Sequence, residues 1–242
     1  MSTNATAIST ISLRNWSRAA SGPPTHAVYS TAVMALNSEE IEKGLRHLRR
    51  CDPVMRTLIR KAGPFAMKPR RDRFYALVSS IIAQQISGSA ARSIRQRLLD
   101  HFAPEKLSAE NLARLTPEVL RTLGLSVQKA AYLLDLANRV ASGELRLERM
   151  GRMSDEEVIA ELIQVKGIGV WTAQMFLMFS LGRPNVFPHD DLGVRTAIQK
   201  LYGLDDLPDK VTSHRIAEPW RPYATIGSWY CWRSLELKKK GI

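Results

Sequence analysis

The sequence predicts an all-α protein built from many short helices. Apolar residues recur at helical spacing in successive segments, and capping residues, glycines or prolines separate those segments. No alternating strand pattern of useful length and no repeat of fixed period occurs. Since 45% of the 242 residues are hydrophobic, the chain has enough apolar side chains for a folded core.

The helix boundaries follow from local signals along the chain. The segment Ile41–Ala62 has one apolar and one charged face, with a break at Asp52-Pro53. Apolar positions at helical spacing predict another helix over Phe74–Ile86, with Ile86 on its buried face. Downstream, Ser108, Thr116 and Ser126 are predicted N-caps of further helices, and Gly124 is predicted to end one. Ser154 and Glu157 form a predicted capping box.

The charge balance indicates a polyanionic partner. Thirty-five Lys and Arg against 23 Asp and Glu give a formal charge of +12, which suits nucleic acid first and an anionic membrane second. A soluble basic protein without such a partner fits the charge equally well. No apolar run is long enough to span a bilayer. Two cysteines, Cys51 and Cys231, cannot hold a four-cysteine cluster, and free thiols in a reducing compartment are expected.

Residues 1–38 differ in composition from the rest of the chain. They contain no Asp or Glu and are rich in Ser, Thr and Ala, which predicts a flexible N-terminal arm before a domain over 39–242. The same composition also resembles an organellar transit peptide. The expected location is the cytoplasm and nucleoid of a bacterium or the nucleus of a eukaryote, with organellar import as the alternative.

A Gly-x-Gly turn between two helical segments predicts an anion site. At Lys166-Gly167-Ile168-Gly169 one helix stops and an apolar helix begins at once. Free amides at a helix N-terminus attract anions, and Lys166 adds a positive charge beside them. Turns of this kind also occur without a ligand.

The run Leu-x-x-Val-x-Gly-Ile-Gly-x-x-Thr-Ala over 162–173 resembles the helix-hairpin-helix element of a DNA glycosylase superfamily that carries a Gly/Pro-rich stretch and a downstream aspartate. The resemblance implies contacts with DNA backbone phosphate from Lys166, Gly167, Gly169 and Thr172. It also implies a structural Na⁺ or K⁺ held by the backbone carbonyls of Ile163, Val165 and Gly167. No other cofactor is expected.

Two adjacent aspartates follow the hairpin. By local sequence alone an aspartate immediately before a helix is most often an N-cap, and only one of Asp190 and Asp191 is needed for that role. The stretch Val186-Phe187-Pro188 followed by Asp191-Leu-Gly-x-Arg resembles the alkylation-repair branch of the superfamily, which implies that Asp191 is catalytic and Asp190 caps the helix. A shift of one residue would exchange the two roles.

Aromatic residues near this motif suggest a base pocket. Trp171 stands where members of the superfamily that also cut the strand carry a lysine, which implies base excision without lyase activity. Trp171, Trp220 and Tyr223 resemble pocket-lining positions, and Met175 borders the pocket or belongs to the core. Trp229 and Trp232 are expected in the core, as aromatics at helical spacing usually are.

Two further segments resemble DNA-contacting parts of the superfamily. In Ile-x-x-Gln-Gln-Ile-Ser over 81–87, Gln85 stands where relatives place a residue that wedges into the duplex, and Ser87 follows it. A solvated polar helix end is the alternative for this segment. Leu125-Ser126-x-x-Lys129 matches a loop near DNA, which implies that Lys129 contacts phosphate.

Together these patterns predict two helical subdomains that flank a cleft. Residues 72–185 are expected to form the hairpin-bearing subdomain, and 39–71 with 186–242 the other. The expected protein is a monomeric, monofunctional glycosylase without a membrane partner, which releases 3-methyladenine, 7-methylguanine and similar alkylated purines from double-stranded DNA. The alternatives are a non-catalytic helix-hairpin-helix DNA-binding protein and a glycosylase for oxidised or mismatched bases.

Overall fold

The computed structural model describes residues 35–239, with side chains up to Leu237. Within this part of the chain, helices and loops make up the whole structure and no strand occurs, so the predicted all-α class is confirmed. The α-helices are α1 (Ser38–Cys51), α2 (Pro53–Ala62), α3 (Arg73–Ala83), α4 (Gly88–Phe102), α5 (Ala109–Ala113), α6 (Pro117–Thr122), α7 (Val127–Ala141), α8 (Asp155–Leu162), α9 (Val170–Phe179), α10 (Leu192–Tyr202), α11 (Lys210–Ala217) and α12 (Ala224–Lys239).

Local capping chemistry places most of these boundaries where the sequence predicts them. The break at Asp52-Pro53 separates α1 from α2, and the Asp52 carboxylate accepts hydrogen bonds from the first amides of α2. Ser126 caps α7, and Ser154 with Glu157 forms the predicted capping box of α8. The remaining predicted caps, Ser108 and Thr116, begin α5 and α6.

Two boundaries differ from the prediction. Helix α3 ends at Ala83 because Gln85 takes a left-handed conformation with φ of 55°, so Ile86 lies beyond the helix and is 38% exposed rather than buried. Helix α1 begins at Ser38 with Asn37 as its N-cap, inside the range predicted as an arm. The rest of that predicted arm, residues 1–34, lies outside the described residues.

The helices pack around two hydrophobic cores. The first core lies within residues 77–186 and buries apolar faces of α3 to α9. The second combines α1 and α2 with α10 to α12, from Leu45 to Cys231. Trp232 on α12 packs against both cores and therefore lies where they meet.

The segment that leads from α9 to α10 is hydrogen-bonded to both halves of the molecule, the half around the first core and the half around the second. Buried Arg183 donates to the carbonyls of Met150 and Met153 in the first half, at 3.1 and 2.6 Å. Thr225 of α12 accepts from the Val186 amide at 2.9 Å and donates to the Arg183 carbonyl at 2.6 Å. These bonds fix the position of the loop over 183–191, which carries the two aspartates.

The described α-helices run from 5 to 16 residues in length. None of them is both long and apolar enough to cross a membrane.

Candidate active site

The predicted hairpin is present between α8 and α9. Gly167 has a φ of 81°, and a Cβ on it would lie 2.1 Å from the Tyr132 ring, so only glycine fits there. Gly169 is the N-cap of α9 and nothing lies within 4 Å of a Cβ built on it, which leaves the start of α9 open. The exposed Lys166 lies beside this open turn, and its backbone amide donates to Asp135 at 2.9 Å. Its binding to phosphate stays a prediction.

Two of the hairpin carbonyls that are predicted to bind a cation already accept hydrogen bonds within the protein. The Gly167 oxygen accepts from the side-chain amide of Gln84 at 2.8 Å, and the Val165 oxygen accepts from the Ile168 amide at 3.1 Å. A carbonyl oxygen has a second lone pair, and Na⁺ and K⁺, as hard cations, suit oxygen ligands of this type. The donor set therefore fits the predicted cation, and cation binding there stays a prediction.

Lys129 makes two contacts within the protein that the sequence did not predict. Its Nζ donates to the carbonyls of Ile82 and Gln84, at 2.7 and 2.6 Å, and partial burial lowers the pKa of its ammonium group. The ammonium thus satisfies the last carbonyls of α3 and holds the turn that presents the exposed Gln85. Two of the three ammonium donors are used in this way, and the phosphate contact of Lys129 stays a prediction. Ser87, also exposed, caps α4, and the DNA contacts of Gln85 and Ser87 remain predictions.

Asp191 lies at the meeting point of the hairpin helix, α10 and α12. Its Oδ2 accepts from the indole N–H of Trp171 at 2.9 Å. Its Oδ1 accepts from the indole N–H of Trp232 and from the Val194 amide, both at 2.8 Å. Three N–H donors from three helices therefore hold one carboxylate in a fixed orientation, and Asp191 remains only partly buried.

The neighbouring aspartate is arranged differently. The side chain of Asp190 is 70% exposed, and its Oδ2 lies 3.2 Å from Nε2 of His189. The prediction that Asp190 caps α10 is wrong, because Asp191 is itself the N-cap. The backbone at Asp191 has the extended conformation of a cap, and its side chain also accepts from both indoles. One carboxylate therefore caps α10 and binds the two indole N–H groups.

Two indoles contact this carboxylate, and further apolar side chains continue along α9 from the first of them. Trp171 is 44% exposed in the first turn of α9, and the partly buried Met175 and Phe179 follow at intervals of one turn. The Phe179 ring stacks on Trp232, with centroids 5.8 Å apart. Sequence reasoning assigned Trp232 to the core, and no local signal separates it from other aromatics at helical spacing. Its contact with Asp191 depends on how α12 packs across the loop.

Three other predicted site residues lie elsewhere. Trp220 is fully buried in the second core, where its indole N–H donates to Asp52 at 2.9 Å, so its assignment to the base pocket is corrected. Tyr223 packs over Gly44 of α1 and donates its hydroxyl to Glu40 at 3.2 Å rather than facing Asp191. The side chain of Thr172, a predicted DNA contact, is only 5% exposed in the first turn of α9, which leaves little surface for that contact.

Comparison with known proteins identifies the family of this fold and site. A family model described as HhH-GPD superfamily base excision DNA repair protein matches residues 78–222, which include the hairpin and both aspartates. The chain belongs to this superfamily. DNA-3-methyladenine glycosylase 1 of Schizosaccharomyces pombe is 31% identical over 210 residues, which cover 85% of this chain and 90% of that protein.

Two further relatives agree with the superfamily assignment. The structure of S. pombe 3-methyladenine DNA glycosylase in complex with abasic DNA is 30% identical with a TM-score of 0.71, over 80% of this chain and 97% of that one. The YfjP protein of Bacillus subtilis is 37% identical over 169 residues, which cover 67% of this chain. The aligned region spans only 59% of the YfjP length.

Proposed function

We propose that this protein is a monofunctional DNA glycosylase that hydrolyses the N-glycosidic bond of alkylated purines in duplex DNA and so begins base excision repair. The observation that carries the proposal is the Asp191 carboxylate, fixed by two indole N–H groups and a helix amide directly beside the hairpin. Relatives named as 3-methyladenine glycosylases, one of them bound to abasic DNA, support it, because an abasic site is what removal of a base leaves.

The geometry suits the electrostatic demands of base excision. Cleavage of the N-glycosidic bond develops oxocarbenium character on the deoxyribose, and a fixed carboxylate beside the sugar stabilises that positive charge. The same carboxylate can orient or deprotonate the attacking water. An N-alkylated purine is cationic and leaves readily, so a separate strong acid is not required.

The position of Trp171 favours hydrolysis without strand cleavage. A lyase needs an amine that attacks the sugar to form a Schiff base, and an indole cannot do this. Lys166, five residues earlier, lies in the hairpin loop, and Lys129 is engaged by two backbone carbonyls. We infer that the reaction ends at free base and an intact abasic strand.

The remaining parts of the proposal concern how the protein engages DNA. Net positive charge and the open hairpin amides suit non-specific phosphate binding by a monomer, with a Na⁺ or K⁺ at the hairpin carbonyls. The exposure of Gln85 on its left-handed turn supports the proposal that its side chain fills the gap left by an extruded base. The two cores suit a division into a hairpin-bearing subdomain over 72–185 and a second one formed by 39–71 and 186–242, with the cleft between them.

A release assay on methylated duplex DNA tests this function. We expect 3-methyladenine and 7-methylguanine as free bases by chromatography, abasic strands that break only after alkali, and no protein–DNA adduct after borohydride treatment. A borohydride-trapped adduct would contradict the monofunctional assignment. Binding without release from any damaged duplex would favour a non-catalytic DNA-binding protein. Release confined to oxidised or mismatched bases would favour a glycosylase for those bases.

Replacing Trp232 by phenylalanine should slow the reaction without loss of the fold. Phe keeps a ring that can stack on Phe179 but removes the N–H that orients Oδ1 of Asp191. A hydrogen bond to a charged group contributes about 1.5–3 kcal/mol, so single-turnover release should fall about tenfold or more. Affinity for undamaged duplex, measured by fluorescence anisotropy, should stay unchanged. An unaltered release rate would show that Trp232 only fills space.

A further inference from the structure

A cavity of about 530 Å³ lies beside the candidate active site. Its walls come from α3, α9, the loop between α2 and α3, and single residues of α4 and α12. This volume is in the range of small-molecule sites. The apolar part of the wall includes Met67, Met175, Phe176 and Phe179.

Side-chain contacts connect this cavity to Asp191. Met175 and Phe179 of the cavity wall lie one and two turns beyond Trp171 on α9, and Trp171 is hydrogen-bonded to Asp191. Phe179 also stacks on Trp232, the second indole that holds this carboxylate. A base in the cavity would therefore rest against the same helix that orients the proposed catalytic group.

Ser79 on α3 lines this cavity and has a side-chain hydroxyl without a hydrogen-bond partner among the described residues. The residue is 5% exposed. A buried hydroxyl without a partner is unfavourable, so a ligand that accepts a hydrogen bond from it would bind more tightly. The Oγ atom is covered in this structure, and rotation about the Cα–Cβ bond between staggered positions can turn it toward a ligand.

The charges around the cavity favour an electronegative ligand edge. Lys68, Arg70 and Arg95 line it, and no Asp or Glu does so among the described residues. The positive potential acts alike on the net charge of the cationic 7-methylguanine and 3-methyladenine, but at the C6 edge it favours a carbonyl oxygen over an amino group. The cationic wall and the hydroxyl donor therefore point to the same type of ligand.

We propose that this cavity receives the extruded base and that the Ser79 hydroxyl donates to the C6 carbonyl of a 6-oxopurine, such as 7-methylguanine or hypoxanthine. Ser79 is then a specificity-determining residue that raises release of 6-oxopurines relative to 6-aminopurines such as 3-methyladenine. This inference rests on the proposed glycosylase function and adds the class of base to it.

The test compares base release by the wild type and by Ser79→Ala under single-turnover conditions. Methylated duplex DNA reports 7-methylguanine and 3-methyladenine in one reaction, and a duplex with one hypoxanthine reports the third base. Loss of one neutral hydrogen bond should slow release of both 6-oxopurines about three- to tenfold, whereas 3-methyladenine release stays within about twofold. An equal loss for all three bases, or no loss, would overturn the assignment.

Ser213→Ala is the matched control. Ser213 is fully buried, its Oγ also lacks a partner, and it lies on α11 away from the cavity walls. Both variants should unfold at urea concentrations no lower than the wild type, because each removes an unpaired buried hydroxyl. Only Ser79→Ala should change the ratio of released bases. If the wild type releases no base, the proposed function fails and the selectivity has no reaction to act on. If it releases all three and the ratio is unmoved, only the role of Ser79 fails.

Discussion

Asp191→Asn is expected to lower single-turnover release of alkylated purines by at least about 10³-fold. Removing a fixed group that stabilises charge in a transition state costs about 10²–10³ in rate, and losing a general base costs about 10²–10⁴. Asparagine is neutral and cannot take a proton from water, so both contributions disappear together. Release of free base from methylated DNA, followed by chromatography, measures the loss.

The fold should tolerate this change. The amide oxygen can occupy the Oδ1 position, where it still caps α10 and accepts from Trp232. The amide nitrogen then faces the N–H of Trp171, and this donor–donor conflict falls on a side chain that is 44% exposed and free to rotate away. Affinity for duplex DNA should therefore remain within a few fold of the wild type.

Asp190→Asn is the matched control for this prediction. Asp190 is a neighbouring carboxylate, 70% exposed and paired with His189, and it touches neither indole. Its variant should release base at nearly the wild-type rate. Release that survives in Asp191→Asn and is lost in Asp190→Asn would reassign the catalytic role to Asp190.

Much of the helical framework was predictable because its signals are local. A cap such as Ser126, or the reciprocal pair Ser154 and Glu157, acts within one helical turn, so its sequence and its structure carry the same information. The hairpin was predictable for the same reason, since Gly167 is required by its own backbone conformation.

Several contacts of the candidate site could not be predicted because they join segments that are distant in the sequence. The motif at Lys129 resembles a loop near DNA and carries no signal for the two carbonyls at the end of α3, which the packing of α7 against α3 brings to its Nζ. Trp220, predicted in the base pocket, meets buried Asp52, whereas Trp232, predicted in the core, packs against both cores and also meets Asp191. Nothing within a few residues of either tryptophan specifies which carboxylate it meets. The arrangement of the second core decides it.

The largest effect on stability is expected for Asp52→Ala. The Asp52 carboxylate is 1% exposed and accepts from the Tyr202 hydroxyl, the Trp220 indole and two amides at the start of α2. Burial, together with the negative charge of Asp52, raises the pKa of Tyr202 well above its ordinary value, so its hydroxyl stays a donor at neutral pH. Alanine would leave two buried donors unpaired and remove a cap, a loss of about 3–5 kcal/mol in unfolding free energy.

Asp209→Ala is the control that separates the two roles of Asp52, the helix cap and the buried hydrogen-bond network, because Asp209 is only a cap. Asp209 caps α11 in the same half of the molecule, and its carboxylate is exposed to solvent. Its loss should therefore reduce the urea midpoint far less than the loss of Asp52. Equal shifts in the two variants would mean that Asp52 acts only as a helix cap, and that Tyr202 and Trp220 find other partners. A much larger shift for Asp52 would show that this buried carboxylate joins α1 and α2 to the helices that carry Asp191. At temperatures where Asp52→Ala is still folded, its rate of base release should equal that of the wild type, because Asp52 does not contact the proposed catalytic group.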